Sequence, residues 1–138
     1  MQFNSAELPH HIIGACLEVH AQLGPGLTKE AYCECLAIEL REREFIFERA
    51  KPLDFRYKSK LVRSATILDF VIEGTLLLQV YSVDELSPLH KRQMFSYLQL
   101  SGCKEGLLLN FNVENLRVGG VKRLLLQAPN QELESTGT

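Results

Sequence analysis

The sequence predicts a single α/β domain, with a mixed central sheet flanked by helices. Three features carry that expectation. Two segments near the start repeat apolar residues at three- and four-residue spacing, as amphipathic helices do. A middle stretch then mixes aromatic and apolar runs in the manner of strands. Finally, a capped helix precedes "EGLLLNFNV" (105–113), an apolar run that reads as a buried strand. A buried strand directly after a helix suggests a parallel crossover.

The elements follow in order. In residues 6–23, Ile12, Ile13, Cys16, Leu17, His20 and Leu23 share a helical face, and Gly24 and Pro25 end it. A "GPG" turn leads to a second helix over 27–43, where Leu27, Ala31, Cys35 and Ile38 with Tyr32, Leu36 and Leu40 make a broad apolar face. Such breadth suits a helix covered by both a sheet and another helix. "FIFERAKPLDFRYKSK" (45–60) reads as a half-exposed strand pair, and "SATILDFVI" and "TLLLQVYSV" as two strands joined at Glu73 and Gly74. Ser87 is an N-cap and Pro88 a first helical residue; that helix runs to Ser101 and Gly102 closes it. "GGVKRLLLQ" is a last strand, which makes the order α-α-β-β-β-β-α-β-β. Residues 1–126 form the domain, and the polar, aperiodic residues 127–138 are expected to be a disordered tail.

Composition narrows the function. The 138 residues, 46% of them apolar, suffice for one domain with a compact core. No apolar run reaches the roughly 18 residues of a membrane span, which argues against a membrane partner. The start, "MQFNSAELPHH", has no basic stretch followed by an apolar one, so the expected location is cytoplasmic. Cys33 and Cys35 stand two apart in a helix, about 200° around its axis, a spacing for neither a disulfide nor a zinc knuckle. With Cys16 and Cys103 they are expected to be buried free thiols. The net charge of −2 gives no support to strong non-specific DNA binding. Basic residues are instead local: Lys51, Arg56, Lys58, Lys60 and Arg63, then Lys91 and Arg92, then Lys122 and Arg123.

Within the strand "TLLLQVYSV", Gln79 and Tyr81 occupy alternate positions where apolar residues suffice for burial. A two-residue loop at 73–74 would pair Asp69 with Leu78 and turn it from Gln79. A three-residue loop at 73–75, with Gly74 left-handed, would pair Asp69 with Gln79 instead. Asp69, Gln79 and Tyr81 would then form one polar cluster. His90, Gln93 and Tyr97 add a stripe at i, i+3 and i+7 of the next helix. The plainer reading makes His90 a cap or the lining of a polar edge, and Tyr97 core.

The stretches "LGPGLTKEAYCECLAIEL", "DFVIEGTLLLQVYSVDEL", "HKRQMFSYLQLSGCKEGLLLNFNV" and "GGVKRLLL" occur in order from about Leu8 to Leu126. Together they resemble the GxxExxY proteins, a branch of the PD-(D/E)XK nuclease superfamily. The resemblance implies a restriction-endonuclease-like core. There, a strand acid and an acid-x-lysine pair hold a divalent metal and activate water, often with a helix glutamate. Carboxylates suit Mg²⁺, and a lysine beside them stabilises the charge that builds on a phosphate.

Carried over position by position, the strand acid is Asp69, the acid of the pair falls on Gln79, and its lysine falls on Tyr81. The helix glutamate falls on Lys29, between the matching Gly26 and Tyr32, and His90, Gln93 and Tyr97 match the family pattern. Three of the four catalytic groups are thus replaced. Gln79 is a neutral, weaker ligand; Tyr81 is neutral near pH 7 with a reference pKa of about 10; Lys29 repels a metal. Lys29 can instead pair with Asp69, an ion bridge in a metal's place. Glu30, about 100° round the helix from Lys29, is not expected to reach the same place, and Glu73 lies in the turn.

The expected function is a catalytically degenerate nuclease-like domain acting in binding, regulation or assembly, with no cofactor. The competing expectation is a Mg²⁺- or Mn²⁺-dependent nuclease rearranged around Asp69, its one inherited metal ligand, with Glu30 or Glu73. A small ligand in the old cleft, against Tyr81, His90, Gln93 and Tyr97, is a third. The mild acidity favours a protein partner or a second copy, and nucleic acid would bind through the basic strand segment with Lys91 and Arg92.

Overall fold

The computed structural model describes residues 6–64, 66–128 and 131–135. Helices α1 (Leu8–Leu23) and α2 (Lys29–Glu42) lead into strands β1 (Phe47–Pro52), β2 (Phe55–Tyr57), β3 (Lys60–Val62), β4 (Ile67–Ile72) and β5 (Leu76–Tyr81). Helix α3 (Pro88–Ser101) and strands β6 (Glu105–Asn110), β7 (Val121–Ala128) and β8 (Gln131–Ser135) complete the chain. One six-stranded sheet has the order β1-β4-β5-β6-β7-β8, and β2 and β3 form a separate ribbon. Only β5 and β6 pair in parallel among these strands, joined through α3 as a crossover requires.

The alternation of side chains divides the core between the two faces. Leu76, Leu78 and Val80 of β5 pack with Leu107 and Leu109 against α1 and α2, in a cluster containing Ile12, Cys16, Tyr32 and Leu36. Leu77, Leu108 and Leu124 face the other way, against Met94, Phe95 and Leu98 of α3. Gln79 and Tyr81 therefore stand on the α3 side of a sheet covered on both faces. No disulfide forms among the described residues: Cys16, Cys33 and Cys103 are buried, and Cys35 is half-buried.

Two strand expectations need correction. Residues 45–60 are not one strand pair: β1 pairs antiparallel with β4, while β2 pairs with β3, which begins only at Lys60 and runs to Val62, across the turn at Lys58 and Ser59. Pro52 cannot donate to a further ladder bond, and buried Leu53 turns the chain there, its N–H bonded to Thr66 O. The second correction concerns 127–138. Its residues 131–135 form β8, antiparallel to β7, and residues 129–130 and 136–138 lie outside the described residues. Two ion pairs also join this strand to α3: Glu134 meets Lys91 at 2.7 Å, and Glu132 pairs with Arg92.

Candidate functional site

The polar cluster begins with the loop before α2. Tyr32, fully buried and stacked on Phe111 at 4.6 Å, donates its hydroxyl proton to Gly24 O at 2.6 Å. The Tyr32 hydroxyl oxygen in turn accepts from Leu27 N at 3.2 Å. Gly26 takes φ 100°, which an L side chain resists. Ser82 Oγ donates to Leu27 O at 2.6 Å, tying the loop to the end of β5, and Thr28 caps α2 by accepting from Ala31 N. Lys29, the first helical residue, is thus fixed beside the sheet. Its Nζ lies 3.0 Å from Asp69 Oδ2 and 5.9 Å from the centre of the Tyr81 ring.

The β4–β5 turn has three residues, with Glu73 and Gly74 both at positive φ, and Phe70 pairs with Leu78. The next cross-strand position sets Asp69 against Gln79. There the backbone ladder gives way to side chains. Asp69 N donates to Gln79 Oε1 at 2.7 Å, and Val80 N donates to Asp69 Oδ2 at 2.8 Å. On the other edge of β4, Arg49 pairs with Phe70 and Lys51 with Leu68, which leaves Ala50, at φ 54°, out of the register beside Asp69. Both neighbours of β4 thus open at this one residue without a change of register.

Helix α3 closes the cluster. Ser87 N donates to His90 Nδ1 at 3.0 Å and His90 N donates to Ser87 Oγ at 3.3 Å, so His90 is a capping residue. Its ring also lies 4.6 Å from that of Tyr81. The Tyr81 hydroxyl donates to Gln93 Oε1 at 3.4 Å. Burial, with Tyr97 and Asp69 nearby, pushes Tyr81 up to about 12. Tyr97 is raised as well, first by burial and then by Asp69, and it packs against the α3-side core. Lys29, Asp69, Gln79, Tyr81, His90 and Gln93 therefore converge. Lys91 and Arg92 do not; both are taken up by β8.

A cavity of about 150 Å³ opens beside the ion pair, lined by Lys29, Glu30, Cys33, Arg49, Ala50 and Asp69. Glu30 thus lines the same space as Asp69, contrary to the sequence expectation. Arg49 is a further member, its Nη1 2.6 Å from Glu34 Oε2, and it lies in no motif that pointed to it. Burial is the main cause that pushes the Cys33 thiol up to about 11, so it is uncharged near neutral pH. Glu73 sits elsewhere, its Oε2 accepting from Ile46 N at the turn.

These donors do not suit a Mg²⁺ ion. Asp69 Oδ2 already faces an ammonium and an N–H, Gln79 Oε1 is occupied by Asp69 N, and Tyr81 offers a neutral phenol. Among the described residues no three of His, Cys, Asp and Glu are grouped to hold a metal. A hard cation needs several free carboxylate or carbonyl oxygens.

The raised Tyr81 value makes a direct prediction. In a spectrophotometric titration of the folded protein, Tyr81→Phe removes a phenolate step near 12 and leaves earlier steps in place. The folded chain keeps this proton while the unfolded chain loses it, so Tyr81's contribution to stability is lost as pH rises from about 10 towards that value.

The sequence model of the PD-(D/E)XK nuclease superfamily matches residues 6–124. No curated protein and no solved structure matches the chain.

Proposed function

Because the chain belongs to the PD-(D/E)XK nuclease superfamily, we propose that it is a degenerate member, of the GxxExxY branch, that works by binding rather than by phosphodiester hydrolysis. The observation that carries this reading is the 3.0 Å contact between Lys29 Nζ and Asp69 Oδ2. It sets a protein cation against the one carboxylate that the family site retains. Hydrolysis by this family's chemistry requires a hydroxide made on a metal and a cation facing the phosphate. Here the cation position holds the neutral phenol of Tyr81, and the second acid position holds an amide.

Gln79 has a structural part in this reading. An amide accepts from Asp69 N as a carboxylate would, without adding a second negative charge to a site with little water. The cluster then acts as a hydrogen-bonded plug between β4 and β5, and the domain presents its outer surface to a partner. One observation favours a second reading, a rearranged nuclease: Glu30 lines the same cavity as Asp69. It would require Lys29, 41% exposed, to leave Asp69.

Cleavage assays separate the two. Purified protein with Mg²⁺ or Mn²⁺ is expected to leave duplex DNA, single-stranded DNA and RNA intact over hours. Metal-dependent cleavage that Glu30→Gln and Asp69→Asn both abolish would establish the rearranged nuclease instead.

A further inference from the structure

We infer that the cavity at the start of strands β5 and β6 is a binding site for a medium-chain aliphatic carboxylate. It lies at the opposite end of β5 from the polar cluster and stands whether or not that cluster hydrolyses anything.

The first observation is the cavity itself. It measures about 530 Å³, within the range of about 300–1,000 Å³ usual for small-molecule sites, whereas the space beside Asp69 has only about 150 Å³. Leu76 in its wall and Tyr81 in the polar cluster are the two ends of β5, roughly 17 Å apart. Fixed turns frame it. Gly102 ends α3 in a left-handed conformation, with its N–H bonded to Leu98 O. Lys104 O accepts from Leu126 N at 2.7 Å, and Thr75 N donates to Ile72 O at 3.1 Å. These walls are in place before any ligand arrives, which spares part of the ordering cost of binding.

The second observation is the apolar lining. Leu8 and Pro9 of α1, Leu76 of β5 and Leu125 of β7 supply aliphatic walls. Arg123 lies opposite Leu107 and Leu125 opposite Glu105, so both β7 residues share the sheet face that Leu107 turns towards α1. Leu133 of β8 lies opposite Leu125 and is 44% exposed, which carries the same apolar face outward. Among the described residues no aromatic side chain lines the cavity. A ring would find nothing to stack on, whereas an alkyl chain gains from every methylene it buries.

The third observation is charge. Lys104 and Arg123 bring two positive charges to the walls, and Glu105 brings one negative charge. Arg123 bonds Glu105 through Nε, and a guanidinium has four further N–H donors. Lys104 is exposed and enters no ion pair among the described residues. One positive charge is thus in excess at the edge of an apolar space. That is the complement of a carboxylate on an alkyl chain. An alcohol would leave Lys104 unanswered, and an alkylammonium would meet it with like charge.

Calorimetric titration of sodium decanoate into the full chain tests this. One molecule should bind, with a Kd below about 1 mM. Octanoate should bind about 15-fold less tightly, since each methylene is worth about fourfold. Octanol should bind several-fold less tightly than octanoate, and decylammonium should not bind. Lys104→Gln should weaken decanoate about two- to tenfold, as the loss of one hydrogen bond does, and leave octanol unchanged. Thr75→Trp, at an exposed position of the wall, should keep the melting temperature and abolish binding by filling the space. Decanoate should also slow alkylation of Cys103, a wall residue, and leave half-buried Cys35 unaffected. Absence of saturable decanoate binding overturns the inference, as does unchanged decanoate affinity in either variant. Equal affinity for octanol and octanoate would make this an uncharged apolar pocket and overturn it too. So would binding to anionic lipid vesicles without binding of decanoate, which would mark a membrane contact.

Discussion

Tyr32→Ala is expected to lower unfolding stability by about 3–5 kcal/mol, the range for emptying a large aromatic site in a core. Tyr32 has no exposed surface, and its ring lies stacked on Phe111 with an interplanar angle of 12°. Alanine removes that packing together with both hydroxyl bonds to the Gly24–Leu27 turn. Urea unfolding measures the loss. Tyr32→Phe isolates the hydroxyl, and its expected cost is smaller, about 1–2 kcal/mol for two hydrogen bonds, because the exposed Leu27 segment can turn its N–H to water. The same variant reports on the site. The turn sets the start of α2, and so the place of Lys29, hence a looser turn should weaken the Lys29–Asp69 contact without touching either residue.

Gln79→Glu, a change of one atom type with little change of shape, is expected to destabilise the domain by about 1–3 kcal/mol near neutral pH. Gln79 is only 5% exposed and touches Asp69, whose side chain is 10% exposed. A second carboxylate there meets the first in a poorly solvated place. Like charges about 4 Å apart repel by roughly 4 kcal/mol at an effective dielectric of 20, and Lys29 offsets part of that. The pH dependence has a definite sign. Repulsion raises the folded-state pKa of the new carboxyl above its unfolded value of about 4.3, so the folded chain holds its proton more tightly. The deficit is therefore small below the unfolded value and grows as pH rises through the folded one. Urea midpoints for both proteins across this range check it. A deficit that stayed constant with pH would mean lost shape, not charge.

How much of this was legible depended on whether the deciding chemistry was local. Helix α3 was, to the residue, because Ser87, Pro88 and Gly102 carry the cap, the start and the stop in their own side chains. The letters of the hairpin allow two loop lengths; the structure has the three-residue form, with Glu73 joining Gly74 at positive φ. The Lys29–Asp69 contact was inferred from a reversal of charge against the family pattern, and the two residues do meet. His90 is both the cap of the plainer reading and a neighbour of Tyr81.

The rest depended on distant neighbours. Nothing in the letters of Arg49 and Ala50 announces the opening of β1 beside Asp69, since Ala50 lacks the glycine that usually marks positive φ. Strand β8 was missed because its two glutamates look like a solvated tail until α3 supplies Lys91 and Arg92. Those two cations, expected on a surface for nucleic acid, each meet a glutamate of β8. Glu30 was placed apart from Asp69 by its angle around the helix, yet at the first turn a side chain can still lean into the cavity.

The central claim is that a protein cation, not a metal, faces Asp69. Calorimetric titration of Mn²⁺ into the wild-type protein, beside Asp69→Ala, tests it most directly. The account predicts no saturable heat up to about 1 mM, and the same flat trace from both proteins. Stoichiometric binding by the wild type that is lost in Asp69→Ala would contradict it.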